Sequence, residues 1–599
     1  MYYNAVNEAK NEVKEIIMSA LGRLVSEGKI PSEPLPAFQV TAPADVSHGD
    51  FSANVALVSA KALKSNPRAV AQMIVDAAEL SGTAFDKIEV AGPGFLNFFV
   101  GANWFSGVVE NVIALGEDYG KTDLGAGKRV LVEFVSANPT GPMHIGNARG
   151  GAIGDTLSSL LTEAGYEVSR EFYINDAGNQ VAKFGKSLEL RYVQLCSEEG
   201  KALMAANPEP EKLTQAVYDA TVTFGGEGEV PAEMAAQTFF MPNDVYLGQD
   251  IIEHAKNYYD KFGGDALMAK PSEERRAALV EYALPLNEAR LETDLLKYRI
   301  KYDNWFKESS LHNSGAVKEV IEKLKAGGHT YEKDGALWLK ATDFGGDQDF
   351  VLVRSNGFPT YIVPDIAYHY NKLVTRGYDK AIDVLGADHH GYVQRMRICL
   401  AAMGIDEKKL DVVIMQMVML VRDGEVVKLS KRSGKAITLT TLLDEVPIDA
   451  ARFFFNLRDA NTHLEFDLDL AVEESSKNPV FYVQYAHARI CRVIEKMAED
   501  GIKYEGGAVS YTEPAELALV RKLAEMPEMI NDAAKEYNPS ALTKYAFELA
   551  QAYHKFYDNC PIRDAESDVR LSRLALCDAA RTVLRNVLAL LKVDAPEKM

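Results

Sequence analysis

The stretch that decides the fold is RVLVEFVSANPTGPMHIGNARGGAIGDTLSSLLTEAG, from Arg129 to Gly165. Its first seven residues are rich in Val, Leu and Phe, a composition typical of a buried parallel strand. Pro139 and Pro142 then interrupt regular structure, and an amphipathic helix is predicted to begin after Gly146. With a second strand predicted at 168–174, this order is a βαβ unit, and doubly wound sheets bind ligands at its first turn.

The turn before that helix carries the first candidate for chemistry. His144 lies just before the helix start, where backbone N–H groups and the helix dipole favour an anion, and a histidine there can donate a hydrogen bond to a phosphate oxygen. Gly146, Gly150 and Gly154 recur at every fourth residue, so one helix face lacks side chains and permits close approach by a ligand or the sheet. Taken alone, a short H-x-G motif is equally compatible with a glycine-rich helix and an incidental histidine.

Length and composition limit the class of protein. The chain has 599 residues, and ~150 residues per domain predicts about three or four domains. No apolar run approaches the ~18 residues that cross a bilayer, so no membrane association is expected. Five scattered cysteines without a C-x-x-C pair favour a reducing, cytoplasmic location over a disulfide framework. Because the formal net charge is −21, any binding of nucleic acid depends on local basic patches.

The rest of the pattern is that of a sheet domain interrupted by helices. Residues 1–115 are predicted to form a small α+β domain. From about Val181 to Lys301 the sequence is mostly helical and acidic, which indicates an insertion between two halves of a doubly wound sheet. Strand patterns then resume at 336–339, 350–353, 361–363, 380–385 and 410–421.

A second strand-to-helix turn follows residues 380–385. It holds Gly386, Asp388, His389 and His390. An Asp-His-His cluster is one form of metal site, but no further acid or histidine stands nearby at regular ligand spacing. We therefore predict no zinc and no other protein-held metal.

The other chemical signature is the loop VKLSKRSGKA, from Val427 to Ala436. Lys428 and Lys431 flank Ser430 just after a predicted strand, and the loop is basic within an acidic protein. Small residues between cations suit a mobile loop that closes on a polyphosphate. A charge run seen alone is usually a solvated turn, but the upstream H-I-G turn favours the phosphate-binding interpretation.

Together these motifs resemble a known family. H-I-G-N at 144–147 resembles the H-I-G-H signature of class I aminoacyl-tRNA synthetases, and K-L-S-K-R at 428–432 resembles their K-M-S-K-S loop. The surrounding segments are similar to those of arginyl-tRNA synthetases over nearly the whole chain: SHGDFSANVAL, AGPGFLNFF, VEFVSANPTGPMHIGNARG, YDNWFKESSL, YIVPDIAYH, VLGADHH and NPVFYVQYAHARI. The sequence departs from the signatures at Asn147, where the second histidine is expected, and at Leu429 and Arg432.

The resemblance implies a multidomain α/β architecture. It places a small α+β, tRNA-contacting domain at 1–115, a doubly wound Rossmann-type catalytic domain at 116–465 and an all-α anticodon-binding bundle at 466–599. The helical insertion of the catalytic domain is expected at about 185–300. No heptad or large apolar stripe is evident, so we expect a monomer.

The resemblance also implies an activity and its site. The expected enzyme is an arginine–tRNA ligase that activates L-arginine with ATP and Mg²⁺ and transfers it to the 2′-hydroxyl of the terminal adenosine of tRNA(Arg). The catalytic residues would be His144, Lys428 and Lys431. The residues that bind ATP would be His144, Gly146, Asn147, Gly386, Asp388, Lys428, Ser430 and Lys431. The residues that bind arginine would be Glu133, Ser136, Asn138, Glu308, Tyr361, Asp365 and His389.

Acceptors are what such an amino-acid pocket needs, because a guanidinium offers five donors in a planar fork. Glu133 and Asp365, taken singly, would be interpreted as structural carboxylates or helix caps. Tyr553 and Tyr557 lie one turn apart, a spacing more common in a protein core. The resemblance instead predicts that Arg489, Tyr553, Tyr557 and the last residue, Met599, contact tRNA.

Two other functions stay open at this stage. One is another ATP-activating enzyme with the H-x-G-H signature, such as a small nucleotidyltransferase or a different synthetase. A small nucleotidyltransferase would lack the long helical C-terminal segment, and a different synthetase would lack the set of Glu308, Tyr361 and Asp365. The other is a non-catalytic RNA-binding relative, which would have lost the His144 turn or the Lys431 loop.

Overall fold

A parallel sheet organises the central part of the chain. The computed structural model describes residues 2–32, 34–43, 45–226, 229–427 and 437–599. The chain forms two compact units, one of residues 128–158 and 167–472 and the other of residues 1–127, 159–166 and 473–599. The predicted domain boundaries stay predictions. No helix in the described ranges is long and apolar enough to cross a membrane.

Within the described part of the central unit, five parallel strands form its main sheet. In spatial order they are Leu410–Met415, Lys380–Gly386, Arg129–Glu133, Glu167–Ile174 and Asn304–Lys307. Chain order therefore reverses between Arg129–Glu133 and Lys380–Gly386, which lie side by side. The carboxyl ends of these two strands bound the crevice in which open α/β sheets bind ligands. The doubly wound fold predicted from the sequence is confirmed.

Helices cover this sheet, and a helical insertion interrupts it. The helices of the unit are Ile145–Glu163, Gly178–Cys196, Glu198–Ala206, Pro210–Asp219, Ala232–Ala235, Gln249–Phe262, Ser272–Lys297, Glu308–Asn313, Ala316–Ala326, Ile362–Tyr370, His390–Ala402, Leu439–Glu445, Ile448–Phe455 and Leu468–Val472. The insertion, from Gly178 to Lys297, buries its own core around Phe184, Leu188 and Tyr192. It also contains the short strand pair Val222–Thr223 and Phe240–Met241.

Three strand predictions need correction. Residues 336–339 and 350–353 are strands, but they form a separate antiparallel sheet with Thr330–Lys333. Residues 361–363 are not a strand: Tyr361 is the N-cap of the helix Ile362–Tyr370, and the next two residues begin it. Pro364 is compatible with this helix because it lies in the first turn, where its missing N–H has no helical partner. Residues 410–421 form two strands in different sheets. Their second part, Val418–Arg422, pairs with Leu464–Asp467 and Glu425–Val426.

The second unit combines the two terminal segments. Its antiparallel sheet has the order Val40–Thr41, Phe51–Ala53, Phe95–Val100 and Phe85–Ala91. Its helices are Ala5–Ser26, Val55–Ser59, Pro67–Ala77, Ala102–Leu115, Pro479–Glu499, Pro514–Ala524, Met526–Glu536, Ser540–Asn559 and Ser567–Leu591. Arg521 on the C-terminal bundle pairs with Asp50 of the N-terminal segment at 2.6 Å, and the Tyr119 hydroxyl donates to the Leu523 carbonyl at 2.8 Å.

The helix Ile145–Glu163, called the signature helix below, is buried on more faces than its periodicity predicted. Residues 151–160 are all buried, including polar ones. Asp155 accepts from Arg452 at 2.6 Å and from Arg170 at 3.2 Å. Arg149 donates to three backbone carbonyls, those of Gln416, Asp459 and Thr462. Buried polar groups require such partners, and hydrophobic periodicity alone could not reveal them.

The glycine repeat of the signature helix has two different roles, and this difference can be tested. A Cβ at Gly154 would lie 2.2 Å from the Phe134 ring, whereas a Cβ at Gly150 would meet only the end of Met415 at 3.6 Å. We expect Gly154→Ala to lower the free energy of unfolding by about 1–3 kcal/mol through overpacking. Gly150→Ala is the matched control, and the better helix propensity of alanine should make it neutral or stabilising by up to about 1 kcal/mol. Urea denaturation of both variants checks this, and equal effects would contradict close packing at Gly154.

Candidate active site at the carboxyl edge of the sheet

The candidate residues from three segments of the chain lie around one edge of the main sheet. Glu133 ends the first strand, and Asp383 is its direct neighbour on the adjacent parallel strand. Ser136 and Asn138 follow the first strand, and His144 precedes the signature helix. Gly386, Asp388 and His389 follow the strand Lys380–Gly386, with Asp388 and His389 exposed. The reversal of strand order brings these segments together.

His144 has a defined tautomer. Its Nδ1 accepts the backbone N–H of Gly146 at 3.1 Å, so the neutral ring carries its proton on Nε2. The side chain of Asn147 accepts the backbone N–H of His144 at 3.0 Å, as the third helical residue does in a capping box. The departure from the signature at Asn147 thus has a structural role. An exposed Nε2–H donor at a helix N-terminus can bind a phosphate oxygen.

The turn after the first strand is strained. Val135 has φ 67° and Ser136 has φ 41°, and a β-branched residue rarely adopts the left-handed region, at a cost of about 1–3 kcal/mol. Hydrogen bonds hold the turn in place: the Ser136 hydroxyl donates to Glu133 at 2.8 Å and accepts the backbone N–H of Tyr173 at 3.1 Å. The strain and these contacts orient Ser136 at the crevice.

Three carboxylates lie buried in a row below the crevice. Asp383, Glu133 and Glu171 are direct neighbours on three adjacent parallel strands. Lys372, which is 0% exposed, donates to Glu133 at 2.5 Å and to Asp383 at 2.9 Å. Arg376 binds Glu171 through both terminal nitrogens, one of them at 2.7 Å. We call these three acids the carboxylate row.

The cations decide the charge state of the carboxylate row. Burial alone would raise the pKa of Asp383, but Lys372 and His369 outweigh it and hold that pKa well below its usual range. Burial and the cations likewise oppose each other at Glu171, where Arg376 and Lys372 lower the pKa. Asp383 and Glu171 are therefore ionised, and the basic groups that lower their pKa values come from one segment, residues 369–376.

Two further carboxylates border the crevice above the row. Glu308 accepts from the Tyr173 hydroxyl at 2.9 Å. Burial raises the pKa of Asp365 to about 7, and Glu308, Glu133 and Asp383 add to this while His369 opposes it. Tyr361 is 60% exposed, and its hydroxyl accepts from the side chain of Asn179 at 2.6 Å. These groups form an acceptor-rich pocket suited to a cationic, multidentate ligand.

Some predicted residues are placed differently or fall outside the description. Lys428, Ser430 and Lys431 lie outside the described residues. Glu133 is buried, and its two oxygens accept hydrogen bonds from Ser136 and from Lys372. Its carboxylate therefore orients these two side chains, and a direct contact with arginine stays a prediction. Among the residues that the structure describes, no group of three or more His, Cys, Asp or Glu side chains is arranged to hold a metal ion.

Sequence reasoning missed His369, Lys372, Arg376, Glu171 and Asp383. The signal was present in DIAYHYNKLVTR, from Asp365 to Arg376, because Asp365, His369, Lys372 and Arg376 fall on one helical face. Without the strand register, however, nothing in the sequence indicated which acids they would meet.

A second site lies on the C-terminal helices. A cavity of about 360 Å³ is lined by Ser476, Phe481, Tyr482, Tyr485, Arg489, His554 and Asp558; we call it the aromatic cleft. Tyr485 is 44% exposed, and its ring lies nearly parallel to that of Phe481 at 6.4 Å. Arg489 lies over the Tyr557 ring at 4.0 Å and contacts His554. Burial and Arg489 both lower the pKa of His554, so the ring is neutral at pH 7.

The prediction of a direct tRNA contact by Tyr553 is wrong. Its side chain is 0% exposed and packs against His554, Phe556 and Tyr557, so no base can reach it. Met599 is 55% exposed, as a terminal contact residue must be. The aromatic residues of the cleft that sequence reasoning missed lie at helical spacing in NPVFYVQYAHAR, where Phe481, Tyr485 and Arg489 are four residues apart.

The fold and the site define a class I tRNA synthetase. The family model for the catalytic domain of class I tRNA synthetases (R) matches residues 108–489. The models for the arginyl-tRNA synthetase N-terminal domain and the DALR anticodon-binding domain match residues 11–100 and 483–599.

The chain belongs to the arginyl-tRNA synthetase family. It is 48% identical to the arginine–tRNA ligase of Caldanaerobacter subterraneus subsp. tengcongensis and 45% identical to that of Acetivibrio thermocellus, covering 100% of both chains in each case. The solved structure of the Thermus thermophilus arginyl-tRNA synthetase shares the fold, with a TM-score of 0.70 at 22% identity over 98% of this chain and 100% of that one.

The bridge between Lys372 and two acids of the carboxylate row should be important for stability. Lys372→Met would leave Glu133 without its buried cation and Asp383 with His369 alone, and we expect a loss of about 3–5 kcal/mol in the free energy of unfolding. The loss should shrink as the pH falls, because protonation of one acid removes the repulsion.

Lys380→Met is the matched control. Lys380 pairs with Asp411 where both side chains are about one-third exposed, so its loss should cost about 0–1 kcal/mol. Denaturant midpoints at several pH values give both quantities. A Lys372→Met cost as small as that of Lys380→Met would contradict the bridge.

Proposed function

We propose that this chain is an arginine–tRNA ligase. It activates L-arginine with ATP to form arginyl-adenylate and pyrophosphate, and it transfers the arginyl group to the 2′-hydroxyl of the terminal adenosine of tRNA(Arg). The observation that carries the proposal is the close pair of carboxylates Asp365 and Glu308, each in the first turn of a helix of the same unit and each acting on the charge of the other. Membership of the family favours this catalytic function over a different H-x-G-H enzyme and over a non-catalytic relative.

The first step is attack by a carboxylate oxygen of arginine on the α-phosphorus of ATP, with departure of pyrophosphate. Little covalent help is needed, so catalysis depends on positioning and on charge stabilisation. His144 donates its Nε2–H to a phosphate oxygen at the N-terminus of the signature helix, and Gly146 lets the imidazole lie close to the backbone, because a Cβ there would meet the ring at 2.9 Å. Lys428, Ser430 and Lys431 stabilise the α-phosphate and the leaving pyrophosphate, and Mg²⁺ brought by ATP would neutralise part of that charge.

In this proposal ATP and arginine bind side by side at the carboxyl ends of the strands Arg129–Glu133 and Lys380–Gly386. Gly386, Asn147 and Asp388 border the ATP site, and a side chain at Gly386 would collide with Asp388. Ser136, Asn138 and His389 surround the α-amino end of arginine, with Ser136 held by Glu133.

The guanidinium lies between Asp365, Glu308 and Tyr361. Tyr173 donates a hydrogen bond to Glu308, and Asn179 donates one to the Tyr361 hydroxyl. These bonds orient both acceptors, so the directions of their remaining lone pairs are set. A lysine side chain lacks the planar fork and would leave acceptors unpaired.

The aromatic cleft is proposed to bind unpaired anticodon bases. Exposed Tyr485 supplies a stacking face and Arg489 a cation. Exposed Met599, in the same unit, is proposed as a further contact with tRNA. Tyr557 supports Arg489 through the cation–π contact. The domains at 1–115, 116–465 and 466–599, tRNA contact by the first of them, a monomeric state and a cytoplasmic location complete the proposal.

Removal of one charge tests the arginine pocket. Asp365→Asn keeps the size of the side chain but replaces a charge-assisted acceptor, which is worth about 1.5–3 kcal/mol, so the KM for arginine should rise at least about tenfold. Asp343→Asn, at an exposed aspartate of the same unit, is the control and should leave that KM unchanged. Pyrophosphate exchange in the presence of tRNA measures both, and an unchanged KM in Asp365→Asn would remove Asp365 from the pocket.

A second pair of variants tests the cleft. Tyr485→Ala should weaken tRNA(Arg) binding by about 1–3 kcal/mol, the range for loss of one stacked base, and leave the KM for arginine unchanged. Tyr553→Phe should leave the KM for tRNA unchanged, since that ring is fully buried. Aminoacylation at varied tRNA concentration provides the data. Equal KM values for the wild type and Tyr485→Ala would exclude the cleft from tRNA recognition.

A further inference from the structure

His369 makes two hydrogen bonds that a neutral imidazole cannot make together. Its Nδ1 lies 2.8 Å from the backbone carbonyl oxygen of Asp365, and its Nε2 lies 2.8 Å from Oδ2 of Asp383. A carbonyl oxygen and an ionised carboxylate both accept hydrogen bonds and donate none. Each ring nitrogen therefore carries a proton, provided that Asp383 is ionised.

The other oxygen of Asp383 supports its ionisation. Oδ1 accepts from Lys372 at 2.9 Å, and Lys372 lies fully buried with Glu133 as its second partner. His369 is only 2% exposed, so water does not provide an alternative partner for its ring.

A charge count favours the same state. The carboxylate row contributes three negative charges, and Lys372 and Arg376 contribute two positive charges. A charged His369 supplies the third and makes the buried set neutral. A neutral His369 would leave one uncompensated charge in the interior, which is costly.

Backbone geometry places these cations. Helix Ile362–Tyr370 continues into a π-helical turn, Asn371–Thr375, closed by the bond from the Arg376 N–H to the Asn371 carbonyl at 2.9 Å. Such turns are rare and are frequent at functional sites. Here the turn carries Lys372, and the segment presents Asp365, His369, Lys372 and Arg376 to the sheet edge and the crevice.

We propose that His369 is a buried imidazolium that acts as a positioning residue for arginine recognition. It holds the main chain of Asp365 through the carbonyl bond, and its positive charge favours the ionised Asp365 that a guanidinium requires. This inference rests on the proposed placement of arginine against Asp365.

The groups that face His369 and Asp365 come from every neighbouring element. The strands contribute Glu133, Asp383 and the hydroxyl of Tyr173, the helix Glu308–Asn313 contributes Glu308, and the segment itself contributes Lys372. Helix His390–Ala402 contributes Tyr392 and Cys399, and burial raises the pKa of both side chains, so they stay neutral. Removal of the His369 charge would therefore make the surroundings of Asp365 more negative and raise its pKa.

The test measures the KM for arginine against pH. In the wild type the KM should rise below about pH 7, where Asp365 takes up a proton, by about tenfold per pH unit. In His369→Gln this rise should begin about one pH unit higher, so that at pH 7 the KM is about fivefold above the wild-type value while kcat changes less than about twofold. In the double variant with Asp383→Asn, one negative charge is also removed, and the profile should move back toward that of the wild type.

His487→Gln is the matched control, because His487 is equally buried and bonds to a backbone carbonyl in the other unit. Its KM profile for arginine should equal that of the wild type. If His369→Gln lowers kcat or raises the KM for arginine equally at every pH, the positioning role is wrong. It is also wrong if the KM profile of the double variant does not return toward that of the wild type. If Asp365→Asn also leaves the KM unchanged, the proposed pocket itself fails, which separates the two proposals.

A measurement on the wild type avoids any folding defect of the variants. With ¹⁵N-labelled histidine, one of the 11 histidines should show protons on both ring nitrogens at neutral pH, as a ring that faces two acceptors requires. Absence of such a histidine would overturn the proposal.

Discussion

The ion bridge from Lys372 to Glu133 and Asp383 is the interaction on which the site depends. The two acids are direct neighbours on adjacent strands at the place where the chain order of the sheet reverses, and Glu133 is the last residue of its strand, so this bridge lies beneath the crevice. Taking two carboxylates out of water is expensive, and a fully enclosed ammonium between them offsets much of that cost. Glu133 then holds Ser136, and Asp383 holds His369. Both halves of the proposed amino-acid site are thus connected through one side chain.

The strained turn after the first strand is also held in place by hydrogen bonds of its neighbours. The left-handed Val135 and Ser136 persist because the strand before them and the Tyr173 N–H over-determine their positions. This turn also sets the direction from which the chain enters the signature helix, where His144 and Asn147 cap the first turn reciprocally. A sheet edge, a strained turn and a helix N-terminus therefore act as one preorganised surface.

The sequence predicted the βαβ unit and the helical segment between the two halves of the sheet, because each depends on local patterns: a buried strand before prolines, and helical periodicity. The acidic pocket for arginine came from the family resemblance and stays a prediction. The sequence did not predict the carboxylate row, since that requires the register of three strands that are distant in sequence. Asp383 and Glu171 are 250 and 38 residues from Glu133, counted along the printed chain, and no local pattern relates them. Tyr553 was assigned to tRNA for the opposite reason: its helical spacing with Tyr557 is local, but which of the two rings is covered depends on tertiary packing.

Neutrality of the buried layer has a consequence for selectivity. Coulomb attraction at a given distance is nearly equal for a guanidinium and an ammonium, so an excess of buried negative charge would attract arginine and lysine alike. When His369, Lys372 and Arg376 balance the carboxylate row, the acceptors with free lone pairs are left to distinguish the ligands by direction. A planar fork satisfies several fixed acceptors at once, and a single ammonium does not. The buried cations near the proposed pocket would therefore contribute to selectivity for arginine. They reduce the non-directional Coulomb attraction, which does not distinguish arginine from lysine, and leave the directional hydrogen bonds to do so.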